Sequence, residues 1–256
     1  MPPFPEAPLQ ARPDENPPWS GWDVLQIAVL TIASVMFFLL LVAAAAQRLL
    51  NPHAEFLDVI KQPLVTVAAQ LLSYLVVLAF MVTVIKRAPG RDFWREIRWK
   101  WPSAWGAYLA AGVLLSVGLQ GFAHLLPMPR ELPIDRFFQT KQEAWALAIF
   151  GMTLAPLMEE LFFRGFLYPV LLRRIGVVGA VVLTAAGFGL IHAPQLGRAW
   201  GPVLVIFLVG LTLTITRAVT KSVVPGFLIH VAYNGTISVL IFVGTDGFRH
   251  LEKLSQ

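Results

Sequence analysis

Beyond the first twenty residues the chain is a succession of long apolar runs separated by short polar or proline-marked breaks. A helix needs about 20 mostly apolar residues to cross a bilayer. Runs of that length occur at 22–46, 63–85, 104–126 and 144–163. From Gly165 to Val243 the breaks are few. Arg173-Arg174, the stretch Ala193 to Trp200, and Arg217 to Lys221 divide this region into three more runs, at 176–192, 201–217 and 223–243. The pattern predicts an all-α polytopic membrane protein, a bundle of about seven (six to eight) transmembrane helices. The stretch 164–172 either extends the fourth helix or forms its own element. Pro156 and Pro169 are expected to kink or interrupt that helix.

Composition agrees with the pattern. Hydrophobic residues make up 57% of the 256 and charged residues only 14%, against about 45–50% and about 25% in a soluble domain. Tryptophans mark the edges of the runs: Trp19 and Trp22, Trp94 to Trp105, Trp145 and Trp200. Interfacial belts favour this residue. Residues 1–20, rich in proline and polar side chains, read as a disordered tail, and 244–256 as a C-terminal tail. Between them lie N-terminal transmembrane helices over 21–143, with a basic loop at 86–103, and a core over 144–243.

The net charge of +5 does not point to nucleic acid. Its basic residues concentrate in Lys86, Arg87, Arg91, Arg95, Arg98 and Lys100, a cluster expected to face the cytoplasm and anionic lipid. With that loop inside, the N-terminus is inside and the C-terminal tail outside. The loop mixes aromatic and basic side chains, as an interfacial amphipathic segment does, though an ordinary connection with snorkelling side chains fits equally. The absence of cysteine removes disulfides, thiolate metal sites and a cysteine nucleophile.

Against this background the pair Glu159-Glu160 stands out. From Ala144 to Thr245 these are the only acidic residues. A charge at the centre of a membrane helix costs roughly 2.5–3.5 kcal/mol on insertion scales, so such residues default to a functional role. Glu160 and Arg164 are one turn apart and can neutralise each other. Glu159 points about 100° away, toward another partner. Two further polar clusters follow: Phe188 with His192, and His230 with Asn234, each at i,i+4 spacing on one helix face. Two carboxylates, two imidazoles, a guanidinium and an amide suit water-activating hydrolysis, with a carboxylate as general base and an imidazole and amide as oxyanion donors. Gly187, Gly189, Gly226 and Gly235 would permit close approach of helices or substrate. Taken singly, Glu160–Arg164 reads also as a structural ion pair, His192 as a hydrogen-bonded core histidine, and His230–Asn234 as interhelical glue.

Glu159-Glu160-x-x-x-Arg164, then Phe188-x-x-x-His192, then His230-x-x-x-Asn234 resembles the motif set of the CPBP intramembrane proteases, the CAAX protease and bacteriocin-processing family, also called type II CAAX prenyl endopeptidase or Abi. The resemblance covers about Trp145 to Val243; the first 140 residues match only as membrane helices. It implies a membrane endopeptidase whose active site lies inside the bilayer. In that case Glu159 activates the attacking water with help from His192. His230 and Asn234 stabilise the oxyanion, Glu160 and Arg164 orient the site, and Phe188 packs beside His192.

The expected partners are a membrane-associated protein or peptide substrate, of CAAX-like and prenylated type in eukaryotic members, and the lipid bilayer. The expected location is the bacterial inner membrane, as a multi-pass protein. No cofactor is expected; a zinc ion held by His192, His230 and Glu159 ranks second, since the sequence lacks H-E-x-x-H. Two other functions compete. One is a non-catalytic scaffold or bacteriocin-immunity protein. The other, less favoured, is a proton-coupled transporter, for which the first three runs offer few polar residues along a path.

Overall fold

The computed structural model describes residues 16–129, 133, 138 and 140–252. Residues 1–15 of the expected N-terminal tail and 253–256 of the C-terminal one lie outside the described residues.

Each long apolar run is a helix. In order, the elements are α1 (Gly21–Leu50), a short α2 (Phe56–Val59), α3 (Pro63–Lys86), a short α4 (Phe93–Glu96), α5 (Trp105–Ala123), α6 (Lys141–Met152), α7 (Leu154–Glu160), a π-helical turn (Leu161–Leu167), α8 (Tyr168–His192), α9 (Trp200–Thr220) and α10 (Val223–Gly244). Local chemistry sets the starts. Ser20 with Asp23 and Thr140 with Glu143 form capping boxes at α1 and α6, each satisfying two otherwise orphaned N–H groups. The Ser222 hydroxyl caps α10, and Pro63 opens α3, where its missing N–H costs nothing.

Six helical stretches are long and apolar enough to cross a membrane. One of them, Lys141–His192, runs 52 residues. Straight, it would measure about 78 Å, more than twice the roughly 30 Å hydrocarbon core. It is not straight. At Gly176 the backbone takes φ 72 and ψ 178, which glycine reaches without steric penalty, and the chain reverses. The rings of Phe163 and Phe188 consequently lie 5.3 Å apart, where a straight helix would separate them by about 38 Å. Tyr168 and Leu172 pack against Ala180 and Val181 for the same reason. Read as two crossings, 141–175 and 177–192, this stretch brings the six candidate spans to seven among the described residues. The stretch 164–172 continues the fourth crossing through the π-turn.

The helices pair α1 with α3, α5 with α10, and the second arm of α8 with α9. Gly112 lets α5 close on α10: a Cβ there would stand 2.4 Å from the Ile229 carbonyl oxygen. Large apolar side chains such as Ile32, Phe37, Leu75, Leu114, Leu183 and Leu190 point outward, while Glu160, Arg164, Thr214 and His230 are buried. That inversion of the soluble pattern is what a lipid surround requires.

Two sequence expectations change. The disordered tail does not reach residue 20. Trp19 is only 3% exposed, its indole donates to the Phe166 carbonyl at 3.0 Å, and its ring lies 4.6 Å from that of Phe166. The indole thus docks on the π-turn and does not float at the interface. Arg217, read as part of a loop dividing two spans, lies within α9 and is 2% exposed. The 86–103 loop combines both readings given above. Phe93 and Ile97 are buried, whereas Trp94 and Trp101 are exposed. It is joined to α10 through Ser222, whose hydroxyl donates to the Lys100 carbonyl at 2.7 Å.

Candidate active site

The fourth crossing is broken at Thr153 before it reaches its charges. Thr153 leaves helical geometry at φ −121 and ψ −75, three residues ahead of Pro156, whose ring cannot donate to the turn before it. α7 then carries Glu159 and Glu160, and the π-turn carries Arg164. Single π-turns are uncommon and concentrate at functional sites.

Glu160 and Arg164 are both fully buried. Arg164 Nη1 donates to Glu160 Oε1 at 2.8 Å, Nε to Thr214 Oγ1 at 3.2 Å, and Nη2 to the Gly210 carbonyl at 2.9 Å. The guanidinium also lies 4.6 Å from the Phe188 ring centre, a cation–π distance. Desolvating two charges is repaid only by good geometry and further hydrogen bonds, and α9 supplies those bonds. Glu160 Oε1 also meets His230 Nδ1 at 3.1 Å. Its Oε2 faces Gly226, where a Cβ would stand 3.0 Å away.

Glu159 points elsewhere, as a step of one residue requires. Its carboxylate lies between two imidazoles, with Oε1 3.8 Å from His192 Nε2 and Oε2 3.7 Å from His230 Nε2. Both exceed a direct hydrogen bond and fall in the range where a water bridges. Its side chain and that of His192 are each 19% exposed, against 4% for His230. His192 Nδ1 lies 2.7 Å from the Phe188 carbonyl. A carbonyl only accepts, so Nδ1 carries a proton there, and Nε2 is the nitrogen that faces Glu159. Phe188 packs on both histidines, at 4.9 Å from His192 and 5.6 Å from His230.

Asn234 departs from the arrangement expected of an oxyanion donor. Its Nδ2 donates to the Gly151 carbonyl at 2.8 Å, in the last turn of α6, just before the break at Thr153. One of its two N–H groups is thus committed to holding α10 against α6. Among the described residues no group of three or more His, Asp or Glu side chains is arranged to hold a metal ion.

Of the small residues expected nearby, Gly189 and Gly226 are close-packed, while Gly187 and Gly235 have ordinary clearance. Sequence reasoning missed Gly210, Thr214 and Arg217, all on α9. Their i, i+4, i+7 spacing within an apolar run was the available signal. Trp19 and Gly151 carried none. A cleft of about 410 Å³ between α8 and α9, lined by Gly189, Leu190, Trp200 and Phe207 among others, is almost wholly apolar and includes none of the charged or histidine side chains.

Residues 141–236 match the family model described as Type II CAAX prenyl endopeptidase Rce1-like. The match runs from the start of α6 into α10 and contains Glu159, Glu160, Arg164, Phe188, His192, His230 and Asn234. No curated protein and no solved structure matches the chain. Through this segment, which holds every polar group of the site, the chain is similar to the type II CAAX prenyl endopeptidase Rce1-like family.

Proposed function

We propose that this protein is a glutamate-dependent intramembrane endopeptidase of a bacterial inner membrane, hydrolysing a peptide bond of a membrane-associated, CAAX-like substrate. The observation that carries the reading is the position of the Glu159 carboxylate between His192 Nε2 and His230 Nε2, at 3.8 and 3.7 Å. A water held between Glu159 and His192 would donate one hydrogen to each, leaving an oxygen lone pair for attack on the carbonyl carbon. Glu159 takes the proton as the C–O bond forms, a transfer worth about 10²–10⁴-fold. It returns that proton to the nitrogen as the C–N bond breaks.

The oxyanion formed in between needs donors. His230 provides one as the imidazolium, with Nδ1–H on Glu160 and Nε2–H turned toward the site. In that state the cluster is neutral: Glu159 and Glu160 balance Arg164 and His230. The second N–H of Asn234 is the other donor. Removing one such donor typically costs about 10²–10³-fold. No metal enters this scheme.

A scaffold function is the second reading, favoured by one observation. Glu160, Arg164 and His230 together hold α7, α9 and α10, so part of the cluster serves packing whatever else it does. The separating experiment compares membrane proteomes of cells carrying the wild type or Glu159→Gln by mass spectrometry. It is followed by cleavage of the candidate substrate with purified protein in liposomes. A C-terminal or juxtamembrane cut made only by the wild type supports the protease. Equal processing by purified Glu159→Gln would sink it.

A further inference from the structure

The division of labour between the two glutamates depends on the π-turn, and the π-turn depends on something outside its own helix. Its defining bond runs from the Tyr168 N–H to the Phe163 carbonyl, five residues back. In an α-helix that N–H would instead serve the Arg164 carbonyl. The other intrahelical donor for Arg164, in π register, would be residue 169. That residue is Pro169, which has no N–H. The Arg164 carbonyl is thus left without a partner in its own helix. A buried unsatisfied carbonyl is costly enough to unsettle a local register.

Arg217 on α9 supplies the partner. Its Nε donates to the Arg164 carbonyl at 3.2 Å, and its guanidinium lies 5.4 Å from the Tyr168 ring centre. The same side chain therefore satisfies the orphaned acceptor and packs on the residue whose N–H has shifted. A return to α register would remove one residue from the turn and rotate α7 by about 100° relative to α8. Glu159 and Glu160 would then leave their respective partners.

We infer that Arg217 is a positioning residue: by satisfying the carbonyl that Pro169 leaves orphaned, it holds the π register that directs Glu160 to Arg164 and Glu159 to the two histidines. Its consequence for rate rests on the proteolytic reading above; its consequence for structure does not. Arg217 touches neither the histidines nor the reacting atoms in this scheme and acts through the backbone of Arg164.

The test uses the full chain in lipid nanodiscs, with Arg217→Met, Arg217→Lys, Pro169→Ala and the double variant Arg217→Met/Pro169→Ala. Alanine at 169 restores the N–H that π register lacks. Amide hydrogen exchange over 161–170 needs no substrate and is read first. Arg217→Met is expected to exchange at least about tenfold faster in this segment, Arg217→Lys by an intermediate factor, and the double variant close to wild type. Cleavage of a membrane-tethered reporter is read second. Arg217→Met is expected to lose about 10²-fold in kcat with KM unchanged, and the double variant to regain most of it. If Arg217→Met cannot be purified, Arg217→Lys with and without Pro169→Ala carries the same comparison. Unchanged exchange in either position-217 variant, or no recovery when Pro169→Ala is added, overturns the inference. Exchange that responds as stated while even the wild type leaves the reporter intact upholds the inference and removes the protease reading alone.

Discussion

Glu160 and His230 lie 70 positions apart in the chain and share a buried hydrogen bond of 3.1 Å. That contact ties the first motif to the last and gives Glu160 two cationic or donating partners at once. Glu160→Gln removes the charge facing Arg164, which has no exposed surface. Breaking a buried pair from one side costs about 3–5 kcal/mol. The variant is expected to unfold at markedly lower temperature in detergent. Replacing both Glu160 and Arg164 with methionine is expected to cost less than the single change at Glu160, as a thermal-unfolding series will read.

Glu159→Gln has the opposite profile. The carboxylate is partly exposed and makes no direct contact shorter than 3.7 Å with either histidine. Activity is expected to fall by about 10²–10⁴-fold while stability moves by no more than about 0.5 kcal/mol. Cleavage and unfolding measured on the same preparations check this, and a large stability loss would assign Glu159 to packing.

Two glycines separate packing from site geometry. At Gly112 a methyl would meet the Ile229 backbone oxygen at 2.4 Å, and backbone cannot turn aside. Gly112→Ala is expected to cost about 1–3 kcal/mol by forcing α5 from α10. At Gly226 the obstacle is Glu160 Oε2 at 3.0 Å. Gly226→Ala is expected to cost less stability but to push Glu160 off His230, lowering kcat. Unfolding temperatures and initial rates for the two variants provide the comparison.

The sequence made much of this readable, and the exceptions have physical causes. Seven apolar runs appear as seven helical arms because bilayer thickness imposes a length that composition displays directly. Glu159, Glu160, Arg164, His192 and His230 were legible because a charge or imidazole in an apolar run is conspicuous. Thr214 and Gly210 were not, since neither is unusual in a membrane helix and their importance comes from facing Arg164. Arg217 was misread because an arginine near the end of a run looks like a boundary. Trp19 was hidden by its proline-rich neighbours. The π-turn has no composition of its own; only Pro169, by what it lacks, hints at it.

Orientation is open to a clean test, since the chain has no cysteine. Among the described residues, the end of the bundle with the 86–103 loop carries Lys86, Arg87, Arg91, Arg95, Arg98, Lys100, Arg173, Arg174 and Lys221 near its surface. The other end carries Arg48, Lys61, Lys141, Arg198 and Arg249. The excess is expected to be cytoplasmic. In sealed cells that express the protein with the carrying membrane accessible from outside, an impermeant thiol reagent is expected to label Asp58→Cys and to spare Ser103→Cys until the membrane is opened.

Chelation checks the metal-free scheme. Extended treatment of the purified protein with a zinc chelator is expected to leave the cleavage rate unchanged, and added zinc not to raise it. A rate that falls and returns with zinc would move Glu159, His192 and His230 into the role of ligands.

The reversal at Gly176 has a consequence for how the protein is made. It places Phe163 against Phe188 within one stretch of nascent chain, so both arms of the hairpin 154–192 are made before α9 and α10. Arg164 and Glu160 leave the ribosome together and enter lipid as a pair, sparing the insertion machinery a bare charge. Glu159 has no such companion one turn away. Its imidazole neighbour His192 comes at the end of the hairpin, and His230 only with the last helix. Synthesis therefore supplies the last member of the cluster last, so a ribosome-bound chain truncated before α10 holds Glu159 without His230.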